Sequence, residues 1–242
     1  QFDEIKEKLS KKWPEGKYIP YFQAHTNTYA PLHVLKEKYE SVLNKENVVG
    51  IAIATRPDAI EDDVLDYLEE LNKRTNVTIE LGLQTIHEKT AKLINRCHSL
   101  SQFEKMVKEL KKRNIEVVVH IINGLPYETK EMMIDTVKYL NGLNINGIKI
   151  HMLNIVKDTP LATLYQEKKF KVLSKEEYID IVITQLEYLR PEIVIHRITS
   201  DPDPKNLIEP TWLVKKFCVL NDIDKEMKKR NTYQGKKLEI NL

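Results

Sequence analysis

The residues able to do chemistry in this 242-residue sequence recur at one kind of place, directly after short β-branched runs. They are Gln23-Ala24-His25-Thr26-Asn27, Thr55-Arg56-Pro57-Asp58, Gln84-Thr85, Asn123-Gly124-Leu125-Pro126-Tyr127-Glu128, Asn154 and Arg197. Together they offer donors, acceptors and one close backbone approach, with no nucleophile beside a base and no paired carboxylates for acid–base work. Glu80 and Gln84 lie four apart, so in a strand they share a face, with Gly82 leaving space between them. A buried ion pair and a ligand contact explain that carboxylate equally. Gly124, followed by Pro126 and Glu128, suits either close ligand approach or a plain strand-to-helix turn.

Other chemistries lack their residues. Neither G-x-G-x-x-G nor a phosphate loop ending in Gly-Lys-Ser/Thr occurs, so dinucleotide and nucleoside-triphosphate binding have no direct support. His25, His33, His87, His98, His120, His151 and His196 form no H-x-x-x-H or H-E-x-x-H spacing, and those within strands read as hydrogen-bonded interior histidines. Cys97 reads as a loop thiol and Cys218 as helix core; two such thiols make neither a disulfide framework nor a metal site, so no metal ligand is assigned.

The elements that must position these residues follow from periodicity. Strands are expected over Tyr18–Gln23, Val48–Ala54, Val77–Leu83, Ile115–Ile122, Gly147–Leu153 and Glu192–Ile198. Helices are expected over Ile60–Lys73, Ser101–Arg113, Glu128–Gly142 and Lys175–Leu189, the second opened by a Ser101–Glu104 capping box. Such alternation predicts an α/β fold with a parallel sheet, a barrel or partial barrel first and an open doubly wound sheet second. In either, ligands gather at the carboxyl ends of the strands, where the polar residues fall.

With 38 basic and 36 acidic residues the net charge is only +2, which gives no electrostatic case for a nucleic acid. The tail residues Lys215, Lys216, Lys225, Lys228, Lys229, Arg230, Lys236 and Lys237 form the one basic concentration, read as a solvated helix face or as a phosphate contact. The sequence lacks an apolar run long enough to span a bilayer, and Gln1–Lys12 is charged and helix-like rather than a leader; low cysteine use fits a cytoplasmic location with no membrane partner. A start at Gln rather than Met is read as truncation.

Three runs then resemble a known family: Ile79-Glu80-Leu81-Gly82-Leu83-Gln84-Thr85, Asn95-Arg96-Cys97-His98, and Val117 through Thr129 with its Asn123-Gly124-Leu125-Pro126 turn. They are similar to radical S-adenosylmethionine (SAM) proteins of the YhcC-like family and, more distantly, to elongator protein 3. Thr55-Arg56-Pro57-Asp58, Ile195-His196-Arg197 and Thr232-Tyr233-Gln234-Gly235 extend the likeness over nearly the whole chain. The resemblance implies a partial parallel (β/α)6 barrel of the radical SAM type, here lacking its first strand and cluster loop. It divides the chain into a truncated barrel over 1–205 and a helical C-terminal extension over 206–242.

The family also implies SAM across the strand ends and a 4Fe-4S cluster on a CxxxCxxC loop that this sequence does not contain. Carried over residue by residue, Ala24-His25-Thr26 matches the turn at the SAM amino group, with His25 departing from the Gly-Gly-Glu pattern. Glu80 and Gln84 match the strand meeting ribose or carboxylate, Asn123-Gly124 the turn beside adenine and ribose, and Met152-Leu153-Asn154 the strand end at adenine. Arg96 matches the arginine of an Asn-Arg-Gly-His motif that would pair with the SAM carboxylate or a substrate anion, with Cys97 in place of the glycine. The implied function of the full-length protein is reductive cleavage of SAM to a 5′-deoxyadenosyl radical, with flavodoxin or ferredoxin as electron donor and a tRNA base as the substrate suggested by the elongator likeness. The alternative is a cluster-free fragment, inactive as an enzyme, that binds SAM or RNA weakly.

Overall fold

Apolar β-branched runs alternate with helical stripes, and the computed structural model, which describes residues 2–238, turns that alternation into an α/β fold. The first half runs α1 (Phe2–Ser10), β1 (Tyr21–Phe22), α2 (Leu32–Leu43), β2 (Gly50–Thr55), α3 (Asp62–Asn72), β3 (Asn76–Gln84), α4 (Glu88–Leu93), α5 (Leu100–Lys112) and β4 (Glu116–Asn123). The second runs α6 (Lys130–Leu140), β5 (Gly147–Met152), β6 (Ile155–Val156), α7 (Pro160–Gln166), α8 (Lys175–Tyr188), β7 (Val194–Arg197), β8 (Leu207–Glu209), a 3-10 turn (Thr211–Lys215) and α9 (Lys216–Lys229).

Six strands form the parallel sheet in the order β1-β2-β3-β4-β5-β7, while β6 and β8 make a separate antiparallel pair. The order rises steadily with sequence. A doubly wound sheet would reverse at a switch point, so the winding is of the barrel type and the second expectation is set aside.

By internal contacts the chain divides into two units, Gln1–Gly82 with Ser101–Val118, and Leu83–Leu100 with Val119–Leu242. In the first, Ile51, Ile53, Val77, Ile79 and Leu81 have no exposed surface, as expected of parallel strands covered on both faces. Helix α3 buries Val64, Leu65, Leu68 and Leu71, and α5 buries Phe103, Met106, Val107 and Leu110. Truncating the fully buried Phe103 to Ala would cost about 3–5 kcal/mol.

In the second unit, α8 packs against both α6 and α9 and buries Tyr178, Ile179, Ile181, Val182, Ile183 and Leu186. A helix apolar on most sides needs such cover. Its start is fixed by a capping box: Ser174 Oγ accepts from the Glu177 N–H, and Glu177 Oε2 accepts from the Ser174 N–H.

Several local expectations change. Helix α5 begins at Leu100, so Ser101 is its second residue rather than its cap, and the Ser101–Glu104 capping box is replaced by the one at Ser174. Cys218 is exposed on α9; Val219 and Ile223 take its buried face. The stretch expected to be a strand from Tyr18 shortens to β1 plus a single bridge between Tyr18 and Val48. Helices α2, α4 and α7 and the β6/β8 pair had no counterpart in the sequence reading. Most tail cations meet acids: Lys216 with Asp201, Lys228 with Asp224, Lys229 with Glu226, Arg230 with Glu226 and Asp180, and Lys237 with Glu187.

Candidate functional site

In the first unit the informative side chain is Glu80, only 5% exposed although acidic. The hydroxyl of Tyr21 donates to its Oε2 over 2.6 Å. Tyr21 pairs with Ala52 and Glu80 with Ala54, so the bond crosses over β2 from β1 to β3. Alternation puts these residues on one sheet face, and the two alanines leave the room the tyrosine needs. Tyr21 was missed by the sequence reading, which had no register with which to connect it to Glu80.

The loop after β1 is held from beneath. Asn27 Nδ2 donates to the Phe22 and Ala54 carbonyls, both over 2.9 Å, and buried Thr28 bonds to Thr55 Oγ1 and the Ala59 carbonyl. Above these anchors Ala24 and His25 are exposed and Thr26 half-buried, with His25 in the left-handed region at φ 64°. A histidine thus adopts backbone that favours glycine.

In the second unit, β3 ends on Gln84, at φ 62°, inside a three-residue turn closed by the Thr85 N–H on the Leu83 carbonyl at 2.8 Å. That is the geometry of the rare left-handed γ-turn. Arg96, expected to meet a ligand carboxylate, is buried: Nη1 donates to the Leu83 and Thr85 carbonyls, Nε to the His98 carbonyl and Nη2 to Glu88 Oε1. Four of its five N–H groups thus bond to protein groups in place of the ligand carboxylate expected there. Cys97 holds φ 68°, backbone that favours glycine.

Strands β4 and β5 meet where expected. The Asn123 carbonyl accepts from the Leu153 N–H at 2.9 Å, and Met152 is held by Ser200 Oγ through both its N–H and its carbonyl. Gly124, at φ 85°, lies so close that a Cβ there would sit 3.1 Å from Met152 Cε and 3.3 Å from Leu173 Cδ1. The Asn123 side chain, 1% exposed, forms a reciprocal amide pair with Gln185 at 2.8 and 2.9 Å. Asn154 differs: its Oδ1 is buried without a hydrogen-bond partner.

Thr85 and Glu128 join these two clusters, the hydroxyl donating to Oε1 over 2.6 Å. Burial pushes the Glu128 carboxyl above the usual carboxylate range, against the hydrogen bonds from Thr85 and Thr90. Glu88 goes the other way, held low first by the Leu100 N–H, with Arg96 adding to it against the opposing effect of burial. His120 and His151 lie with ring centroids 5.1 Å apart and their planes tilted by 39°, and His196 packs against Gly147.

The unpartnered acceptor on Asn154, beside the joined ends of β4 and β5, is of the type that the amino and hydroxyl donors of an adenosine group require, while Gly124 faces the Met152 and Leu173 side chains. The cluster is another matter. Both cysteines are exposed and singly placed, and among the described residues no group of three His, Cys, Asp or Glu could hold a metal ion. The described residues therefore do not fit a 4Fe-4S cluster. None of the described helices is long and apolar enough to cross a membrane.

A family model described as the Radical SAM superfamily matches residues 1–140, and one described as the Radical_SAM C-terminal domain matches residues 145–229. The Bacillus subtilis protein YtqA is 51% identical over 236 residues, covering 98% of this chain and 73% of YtqA. Escherichia coli YhcC is 32% identical over 210 residues, covering 86% of this chain and 68% of YhcC. The solved structure of archaeal Methanocaldococcus infernus Elp3 matches with a TM-score of 0.82 at 20% identity, over 95% of this chain and 58% of that one, a likeness of fold.

Proposed function

Because this chain belongs to the radical SAM superfamily, we propose that it supplies the SAM-binding sheet of an enzyme that cleaves SAM reductively to a 5′-deoxyadenosyl radical. The observation that carries this is the joined end of β4 and β5, where Asn123 and Leu153 share a backbone bond, Gly124 turns the chain at φ 85° against Met152 and Leu173, and Asn154 Oδ1 is buried without a partner.

In this reading adenine and ribose lie along the chain at Asn123, Gly124, Met152 and Leu153, whose mutual and Ser200 bonds fix its course, and Asn154 accepts from the ligand. Gln84, in the second unit, is proposed to meet ribose or carboxylate; in the first unit Glu80 is proposed for ribose or carboxylate and the Ala24-His25-Thr26 turn for the amino group. The thiolates for the cluster come from outside these 242 residues, consistent with the chain spanning 73% of YtqA. Residues 1–205 act as the barrel and 206–242 as its extension, of which 239–242 lie outside the described residues.

A tRNA base is the substrate we propose, a reading supported by the likeness to elongator protein 3, and a flavodoxin or ferredoxin is the electron donor we propose for such a reaction. Two tests separate the layers of the proposal. Calorimetry on the complete protein should show saturable SAM binding, and dithionite should then yield 5′-deoxyadenosine; absence of both would end the reading. Mass spectrometry of small RNA from a deletion strain should show a lost modification, and unchanged RNA would remove tRNA as the substrate.

A further inference from the structure

Gln84 carries a side chain yet sits at φ 62° in a turn closed over 2.8 Å between Thr85 N–H and the Leu83 carbonyl. Such a residue keeps its conformation only where its surroundings over-determine it. The group placed to do so is the Arg96 guanidinium. Nη1 reaches the carbonyls on both sides of Gln84, Leu83 at 3.4 Å and Thr85 at 2.6 Å.

The other edge of the fork is anchored independently. Nε donates to the His98 carbonyl at 2.9 Å, and Nη2 to Glu88 Oε1 at 3.0 Å; the same Glu88 oxygen accepts from the Leu100 N–H at 2.9 Å. The Arg96 side chain is 1% exposed, whereas Glu88 is about half exposed. The α4–α5 loop wraps round the guanidinium with Asn95 at φ 52° and Cys97 at φ 68°, so the loop's own left-handed residues serve to bring the fork to the end of β3. Four contacts to carbonyls and a carboxylate need a planar, multidentate cation, which an ammonium cannot replace.

We infer that Arg96 is a positioning residue: it sets the left-handed turn at Gln84 and so aims that side chain at SAM, without contacting the ligand itself. This rests on the proposed SAM contact of Gln84.

The test is a double-mutant cycle in the complete protein, reading SAM dissociation constants by calorimetry and amide exchange at Thr85. Arg96→Lys should weaken SAM binding about tenfold when Gln84 is present and leave it unchanged in Gln84→Ala, a coupling typical of residues that act through one another. It should also speed exchange of the Thr85 amide. An equal loss in both backgrounds would mean that Arg96 touches SAM or merely supports the fold, and would overturn the inference, as would unchanged Thr85 exchange. If Gln84→Ala leaves SAM binding intact, the placement of SAM at Gln84 fails and the aiming role fails with it. In that case accelerated Thr85 exchange would still show that the turn itself depends on Arg96, so the two failures are told apart. Should Arg96→Lys not accumulate, Glu88→Gln, which removes only the outer anchor, takes its place: a loss confined to the Gln84 background supports the inference and a uniform loss overturns it.

Discussion

Thr85 Oγ1 donates to Glu128 Oε1 over 2.6 Å and at the same time accepts from the His87 N–H over 3.1 Å, so one buried hydroxyl ties the end of β3 to the turn entering α6. The strained Gln84 turn and the Gly124 turn thereby become neighbours held in one network. Such networks cost most when half of a pair is removed.

The first prediction concerns pH. Burial raises the Glu128 pKa, so the folded state binds its proton more tightly than the unfolded chain does. That stabilising contribution is complete below the ordinary glutamate range and is lost as pH rises through the raised value. Glutamine keeps an acceptor for Thr85 and has no proton to lose. The stability of Glu128→Gln relative to the parent should therefore climb across that interval and then level off. Urea midpoints between about pH 4 and about pH 8 check it, and parallel curves for the two proteins would contradict it.

Tyr21 reaches Glu80 only because Ala52 and Ala54 lie between them. Tyr21→Phe should cost about 0.5–1.5 kcal/mol of stability and weaken SAM binding in the complete protein. Ala54→Leu, which leaves both partners in place but fills the space, should weaken SAM binding in the same direction. Thermal melts and calorimetry on both variants decide, and a SAM affinity unaltered by either would detach this bond from the site.

Asn123 and Gln185 satisfy each other's amides in a buried place. Gln185→Leu alone strands the Asn123 amide and should destabilise by about 1–3 kcal/mol. Asn123→Leu with Gln185→Leu together should cost less than the sum of the single changes, because no amide is then left facing an apolar partner. Denaturant unfolding of the three variants gives the cycle directly.

What the sequence made legible was whatever repeats with a period. Strand and helix alternation placed all six strands of the parallel sheet within a few residues, because Ile51, Ile53, Val77, Ile79 and their like must be covered on both faces. Polar strand ends likewise marked Gln84, Asn123 and Asn154. Side-chain direction was not legible, since it depends on register and on long-range partners. Asn123 looked like a ligand contact and turns its amide to Gln185, and Arg96 looked like an anion site and grips backbone. The Thr232-Tyr233-Gln234-Gly235 motif carried part of the family resemblance, and here Gln234 Nε2 holds the Arg190 and Ile193 carbonyls at 2.8 Å and Gly235 packs on Pro191, a strap between α8 and β7.

At Gly124 the φ of 85° and the 3.1 Å approach to Met152 Cε leave no place for a methyl group. Gly124→Ala should destabilise the protein by about 1 kcal/mol or more through backbone strain alone. Because Met152 must also move, SAM affinity should fall beyond what the stability loss explains. Calorimetry at a temperature well below the melting point separates the two effects, and a folded variant with parental affinity would move the adenosine contact elsewhere.

The last prediction concerns the 242 residues expressed without further sequence. Cys97 and Cys218 are exposed and, among the described residues, no donor cluster of three surrounds either, so reconstitution with iron and sulfide should leave no chelator-resistant 4Fe-4S absorbance. On the proposed reading SAM would then keep only hydrogen bonds to the protein, those proposed at Leu153, Asn154 and Gln84 among them. Each such hydrogen bond is worth about 0.5–1.5 kcal/mol net, and a few of them must also offset the entropy of holding the ligand. The expected dissociation constant is about a millimolar or weaker, equivalent to about −4 kcal/mol. Calorimetry on this chain and on the complete protein provides the comparison. Micromolar SAM binding by the chain alone, or stoichiometric iron retained by it, would show that these residues hold the cofactors by groups other than those assigned.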